Sequence, residues 1–458
     1  MQVINPATGE ELADLEVDDK ASVGAKFTAA KRAQPDWAGR PIEERIEIIR
    51  KFRAHTAYRL DDLAGIMTRE TGKPISQARN ELNGLLPRID FFLDNVEATV
   101  DDEVVLLDDR AGIEEVISHE PLGVIANISA WNYPYFVGSN VFVPGLLTGN
   151  AVMYKPSEFA ALTGQAIAEM LWGSGVPEDV FPLILGAGDV GAALLEQPLD
   201  GVFFTGSYAT GKRIAQAVAG SMMRVQLELG GKDPVYVCDD VDVRAAAEGL
   251  ADGAFYNDGQ SCCSVERIYV HESVYDDFVE HFTNTVATFV MGDPNDDATY
   301  LGPLTRAAQL DVLEAQVADA VAKGATLRTG GKRAAQLPDG AWFEPTVLTE
   351  VNHDMAVMRD ESFGPIIGIQ RVANDAEALA LMNDTEFGLT AGVYSANEPR
   401  ATEILRDVNA GTAYWNCCDR VSPRLPWSGR NHSGVGSTLS TYGILTFVRP
   451  KAWHLRQS

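Results

Sequence analysis

The sequence predicts an α/β protein of two doubly wound domains with a small β extension, and three observations predict it. At 458 residues the chain exceeds the size at which one core keeps growing, so more than one domain is expected. From Pro121 onward short apolar strands alternate with helical stretches, the rhythm of strands joined through crossover helices into a parallel sheet. A second alternating set, from roughly Ala251 to Asn416, asks for a second sheet of the same kind.

The elements follow in order. Residues 21 to 100 read as helical, because Ala29 to Ala38 and Ile42 to Glu70 carry apolar residues at three- and four-residue spacing. Asp101 to Ser118 alternates acidic and apolar residues like a protruding hairpin. Val124 to Ile128 is a short buried strand, followed by strands at Ala151 to Tyr154, Pro182 to Leu185, Gly201 to Phe204 and Val235 to Cys238. Gly443 to Arg456 reads as a terminal strand.

Composition narrows the function. Lys plus Arg number 37 against 65 Asp plus Glu, a net charge of −28 that repels nucleic acid and anionic membranes. No signal peptide is evident at Met1 to Pro6, and no apolar run reaches the ~18 to 20 residues of a membrane span. The cysteines, Cys238, Cys262, Cys263, Cys417 and Cys418, make no disulfide framework and fit a reducing cytoplasm. No Cys/His spacing reads as a metal site.

Cys262 ends the segment Phe255-Tyr256-Asn257-Asp258-Gly259-Gln260-Ser261-Cys262, a polar, glycine-loosened turn. A cysteine reacts as its thiolate, and a nearby carboxylate activates water against whatever the thiol captures. Glu228-Leu229-Gly230-Gly231-Lys232 lies a short way upstream and supplies that carboxylate.

Two stretches imitate nucleotide loops. Gly186-Ala187-Gly188-Asp189-Val190-Gly191 has dinucleotide spacing without an acidic ribose partner at the end of a following strand. Gly206-Ser207-Tyr208-Ala209-Thr210-Gly211-Lys212-Arg213 ends in Arg where a triphosphatase needs Ser or Thr for Mg²⁺. Ser207 nonetheless stands close to a helix start, where free amides and the helix dipole favour a pyrophosphate.

The motifs Trp131-Asn132-Tyr133-Pro134, Lys155-Pro156-Ser157-Glu158, Phe204-Thr205-Gly206-Ser207, Glu228 to Lys232, Gly259-Gln260-Ser261-Cys262 and Glu361-Ser362-Phe363-Gly364-Pro365 occur in one order. In that order they resemble the NAD(P)-dependent aldehyde dehydrogenase superfamily, from near the N-terminus to the C-terminus. The resemblance implies two Rossmann-like domains plus a β oligomerisation extension. Residues 1–100 and 121–228 would bind NAD, 229–435 would be catalytic, and 101–120 with 436–458 would pair across subunits of a homodimer or homotetramer.

It implies covalent chemistry. Cys262 attacks the aldehyde, Asn132 and the Cys262 backbone N–H hold the oxyanion, hydride passes to the nicotinamide, and Glu228 activates water to release a carboxylate. One oxyanion donor is commonly worth ~3 kcal/mol in the barrier. A base at Glu228 disfavours acyl transfer to coenzyme A. Cys263 is read as filler that points away from the nucleophile.

Lys155, Ser157, Glu158, Gly206, Ser207, Leu229, Glu361 and Phe363 would hold the cofactor. Glu158 accepts from a 2′-hydroxyl and repels a 2′-phosphate, which favours NAD over NADP. Tyr133, Asn140, Tyr256, Ser261, Cys263 and Trp427 would line the substrate pocket, with Tyr133, Tyr256 and Trp427 as a partial aromatic box for an amino-, betaine or aromatic aldehyde. Asn140 replaces a common tryptophan there. Arg420 and Arg424 offer the alternative of a carboxylated semialdehyde. Pro426 to Gly434, Val141 and Asp360 depart from the family pattern. The remaining reading is a catalytically silent NAD-binding member, which Cys262, Asn132 and Glu228 all speak against.

Overall fold

The computed structural model describes residues 1–334, 337 and 340–456. The last two positions of the expected extension, 457 and 458, lie outside the described residues.

The N-terminal helical region resolves into Lys20–Ala38, Ile42–Tyr58, Leu60–Thr71 and Ile75–Val100. Asp19 starts the first by accepting from the Ser22 amide. Gly72 ends the third at φ 82, and any Cβ there would strike Pro303 at 2.7 Å. Along Ile75–Val100 an apolar stripe of Leu82, Leu85, Ile89, Phe92 and Val96 is buried. Gln77, Glu81 and Arg88 are buried on the same helix.

A five-stranded sheet has the order Gly434–Val435, Arg224–Glu228, Gly201–Thr205, Val124–Ile128, Ala151–Lys155. All pairs are parallel except Gly434–Val435, which runs antiparallel against Glu228 and Leu227. Residues 434–435, expected within the catalytic region, therefore belong to this sheet. Pro182 to Leu185 forms no strand, only a bridge from Leu183 to Tyr154. Pro182 lacks the ladder donor, and Gly186 turns the chain away at φ 148.

The second sheet has seven strands in the order Thr326–Thr329, Thr346–Thr349, Ile366–Val372, Arg267–His271, Pro234–Val237, Thr390–Tyr394, Thr412–Trp415. Only Thr326–Thr329 is antiparallel to its neighbour. Both sheets carry the doubly wound pattern expected of the sequence, and no helix among the described residues is long and apolar enough to cross a membrane.

The expected hairpin is present as Glu103–Asp108 against Ile113–Pro121, and Val448–Arg456 pairs antiparallel along the whole second strand. The terminal strand begins later than predicted, because Leu439 and Ser440 take positive φ and open a short helix, Ser440–Leu445. On the outer edge Val104, Val105 and Leu107 stand exposed.

Two buried glutamates lock the helical region onto the first sheet. Glu70 accepts from the amides of Leu162 and Thr163 at the start of helix Ala161–Ser174. Glu81 accepts from Tyr135 and Phe136 at 2.9 and 3.3 Å, at the start of helix Pro134–Leu147, where the dipole favours an anion. Its other oxygen meets buried Lys73 at 2.5 Å. Removing one partner of such a pair strands a charge, which costs more than removing both. Glu81→Gln is expected to lose about 3 to 5 kcal/mol of stability. Lys73→Met/Glu81→Gln should recover a large part of that in urea unfolding, whereas strictly additive losses would show that the two charges do not depend on each other.

Candidate active site

The carboxyl ends of the first sheet's strands deliver most of the predicted residues, as expected for an open parallel sheet. Val124–Ile128 leads to Asn132, Ala151–Lys155 ends on Lys155, Gly201–Thr205 leads to Gly206 and Ser207, and Arg224–Glu228 ends on Glu228. The second sheet contributes from the opposite end of its strands. Cys262 precedes Arg267–His271, and Glu361 to Phe363 precede Ile366–Val372. Glu228 to Lys232 is the direct passage from one sheet to the other.

The turn before Cys262 is held in an uncommon shape. Asn257, Asp258 and Gly259 take φ of 54, 57 and 69 in succession. At Gly259 a Cβ would lie 2.4 Å from the Gly364 carbonyl, so only glycine passes there. The Asn257 amide donates to the carbonyls of Asn132 and Gln260, and its backbone N–H donates to Gln77. Burial holds the Asp258 carboxyl well above its usual range, against the pull of the Gly302 amide that donates to it.

Cys262 is part-exposed and Cys263 is buried. The Cys263 thiol donates to Asp419 at 3.0 Å, beside Ser261, which donates to the same oxygen at 3.2 Å. Its hydrogen bond with Cys262, then burial, hold Cys263 well above the usual thiol range. Cys263 is therefore not filler: it lines the cavity and belongs to a polar network with Ser261 and Asp419.

Asn132 is buried and donates one amide hydrogen to the Gln260 carbonyl at 3.1 Å, which sets it against the Cys262 turn with a second hydrogen to spare. Glu228 is buried and accepts from the hydroxyls of Thr438 and, at 3.2 Å, Thr205. Burial raises its carboxyl above the ordinary range, while these bonds and the Arg88 charge pull it partly back.

Cys262 and Glu228 open onto one cavity of about 740 Å³. Tyr133, Asn140, Tyr256, Ser261, Cys263 and Trp427 all line it, with Arg420 and Arg424. Tyr133 is less free than an aromatic box requires, since the Lys73 ammonium sits 3.8 Å from its ring centroid. Its neighbour Phe136, 6.0 Å away and nearly parallel, carries the Arg88 guanidinium at 4.1 Å. Lys73, Arg88, Asp419 and Thr438 were not singled out in the sequence.

The remaining predicted residues surround the passage between the sheets. Lys155 is buried, with Nζ 3.3 Å from the Pro156 carbonyl. Burial lowers its pKa against the opposing pull of Glu158 and Asp189. Ser157 caps the turn Glu158–Ala160. Ser207 caps helix Tyr208–Val218 through the Thr210 amide, leaving the amides of Tyr208 and Ala209 without acceptors among the described residues. Leu229 packs against Gly211, where a Cβ would lie 2.5 Å away.

Glu361 accepts from the Gly231 amide at 3.0 Å, and burial, then the Glu266 charge, push its pKa up to about 8. Phe363, at φ 46, meets Trp131 edge-on at 5.6 Å. Gly186, in the stretch with dinucleotide spacing, abuts Val190, whose Cγ2 would lie 2.3 Å from any Cβ.

A family model described as "Aldehyde dehydrogenase family" matches residues 1–453. The betaine aldehyde dehydrogenase of Brucella anthropi is 35% identical over 438 residues, covering 95% of this chain and 89% of that protein. The succinate-semialdehyde dehydrogenase [NADP(+)] of Deinococcus radiodurans is 33% identical over 449 residues, 98% of this chain and 93% of its own length. The crystal structure of the NAD-dependent aldehyde dehydrogenase from Sinorhizobium meliloti superposes with a TM-score of 0.96 at 32% identity, covering 99% and 91% of the two chains. Two sheets meeting at a cysteine, a buried glutamate and a shared cavity, together with these similarities, lead to one conclusion: the chain belongs to the aldehyde dehydrogenase family, oxidoreductases acting on the aldehyde group.

Proposed function

We propose that this chain oxidises an aldehyde to its carboxylate with NAD, through a thioester on Cys262. The observation that carries the reading is that Cys262 and Glu228, from separate sheets, open onto the same cavity. A nucleophile and a base so placed serve two successive half-reactions. The Cys262 thiolate adds to the carbonyl carbon, with Asn132 and the Cys262 amide as donors to the oxyanion. Once the acyl group is held as thioester, Glu228 takes a proton from water, and the resulting hydroxide releases the acid.

The residues fit a dinucleotide. Free amides at a capped helix start suit a pyrophosphate. When bound, the nicotinamide supplies the hydride acceptor. Lys155, Ser157 and Glu158 would address the adenosine ribose, Ser207 and Gly206 the phosphates, and Glu361, Phe363 and Leu229 the nicotinamide half. The carboxylate of Glu158 supports NAD, although one similar enzyme uses NADP(+).

Residues 1–100 and 121–228 would form the cofactor domain and 229–435 the catalytic one. The exposed apolar edge Glu103–Asp108 supports pairing of 101–120 and 436–458 across a homodimer or homotetramer. Five cysteines, all free, support a cytoplasmic setting. The silent reading is disfavoured because Cys262, Asn132 and Glu228 all stand in place.

Two outcomes follow from these roles. Glu228→Gln should keep a rapid release of one NADH per active Cys262 while steady turnover falls by about 10² to 10⁴-fold. Cys262→Ala should lose both phases, and a Glu228→Gln enzyme with unimpaired steady turnover would remove Glu228 as the base. Glu228 works deprotonated, and its raised pKa places the acid limb of the kcat–pH profile above the ordinary carboxylate range. Thr438→Val deletes a bond that lowers that pKa, so the limb should move to higher pH. A limb left in place would show that another group sets it.

A further inference from the structure

We propose that Arg88 and Asn140 form the subsite for the substrate's tail and that this tail is a carboxylate, making the substrate a semialdehyde. The inference rests on the reading of this cavity as the aldehyde site, and it selects among the substrates left open above.

Arg88 lies on the cavity wall at 3% exposure. Its Nη1 donates to Asn140 Oδ1 at 2.7 Å, and its buried Nε finds no acceptor. No carboxylate among the described residues pairs with it within salt-bridge distance. A buried guanidinium without a counter-ion is costly unless something arrives to pair with it. Desolvation lowers its pKa to about 10, which leaves it charged at neutral pH.

The bond also settles which way Asn140 points. A guanidinium only donates, so the amide must present its oxygen to Arg88, leaving its Nδ2 hydrogens to the cavity side. The pair thus offers N–H groups and no acceptor. A carboxylate, which only accepts, complements it, and arginine takes carboxylates in charge-assisted bonds.

A quaternary ammonium meets the opposite situation. Lys73 already occupies the Tyr133 ring and Arg88 the Phe136 ring, so two of the cavity's aromatic faces carry cations and, of the expected box, Tyr256 and Trp427 remain to receive one. Lys73 is in direct contact with Glu81, while Arg88 makes no direct ion pair and feels Glu228 and Glu81 only across a distance. Four carboxylates also line the cavity, and each has a partner. Glu81 meets Lys73, Glu228 accepts from Thr205 and Thr438, Asp419 from Ser261 and Cys263, and Asp252 from Tyr300, whereas Arg88 Nε is left without an acceptor. Arg420 and Arg424 are exposed at the same cavity.

The test is steady-state kinetics of the full-length enzyme with NAD on succinic semialdehyde, its neutral counterpart pentanal, and betaine aldehyde. Wild type should favour succinic semialdehyde. In Arg88→Met the ratio of kcat/KM for succinic semialdehyde over pentanal should fall about 30-fold or more, the change lying in KM. Asn140→Leu, which removes one uncharged donor, should lower the same ratio about fivefold and guards against a poorly folded Arg88 variant. Equal losses on both aldehydes would make Arg88 a structural residue and overturn the proposal. So would a wild type that prefers pentanal or betaine aldehyde, while leaving the general reading intact. A wild type inert on all three aldehydes overturns the general reading instead.

Discussion

The site depends on the passage of the chain from one sheet to the other at Glu228 to Lys232. The passage is closely packed at its centre. At Gly230 a Cβ would lie 2.0 Å from Glu361, and at Gly231 it would lie 2.5 Å from Asp233 and 3.0 Å from the Cys262 carbonyl. Lys232 then turns inward to Glu266 at 2.6 Å and Ser362 at 3.0 Å. Glu266 in turn accepts from the amides of Ser362 and Phe363. One buried ion pair therefore ties the strand ending on Glu228, the turn carrying Cys262 and the Glu361 segment into a single unit. Sub-ångström placement of groups from two sheets needs such a tie, since reacting groups lose efficiency steeply with misplacement.

Burial of so many carboxylates is the counterpart of that tightness. Glu228, Asp258 and Glu361 are each raised chiefly by desolvation, yet they differ in what compensates. Glu228 has two threonine hydroxyls and a distant guanidinium, each of which favours its ionised form. Asp258 has one backbone amide and serves as a structural acceptor. Glu361 has one amide and a repelling neighbour in Glu266, so it is held in a state that partner groups would readily change. Similar burial gives three roles because hydrogen bonds, not depth, set the difference.

Much of this was legible in the sequence. The alternation of strands and helices announced two sheets, and motifs at the carboxyl ends of the first sheet's strands pointed to Asn132, Lys155, Ser207 and Glu228 as candidates, whereas Cys262 was marked by its own turn ahead of a strand of the second sheet. The residues missed share a different character. Thr438 reaches Glu228 from 210 positions away, and no local pattern marks a threonine that will do so. Asp419 becomes part of the nucleophile's surroundings only because a positive φ turns it back on Ser261 and Cys263. Arg88 had a readable signal. Gln77, Glu81 and Arg88 recur at helical spacing inside the buried stripe of Ile75–Val100, and charges on a core-facing stripe require partners or a ligand.

The surface and the cavity carry opposite messages about charge, and they act over different distances. A net charge of −28 spread along the chain governs solubility and long-range encounter, and salt screens it beyond about 8 Å. Arg88 acts at contact range in a desolvated wall, where screening is weak and each unmet hydrogen bond costs its full desolvation. An acidic protein is thus free to hold buried cations at a cavity wall, and the average charge of the chain says nothing about the sign of its ligand. On the proposal above, the sign is set by the buried group that lacks a direct ion pair, Arg88, whose one hydrogen-bond partner, Asn140, has already turned its amide oxygen toward it.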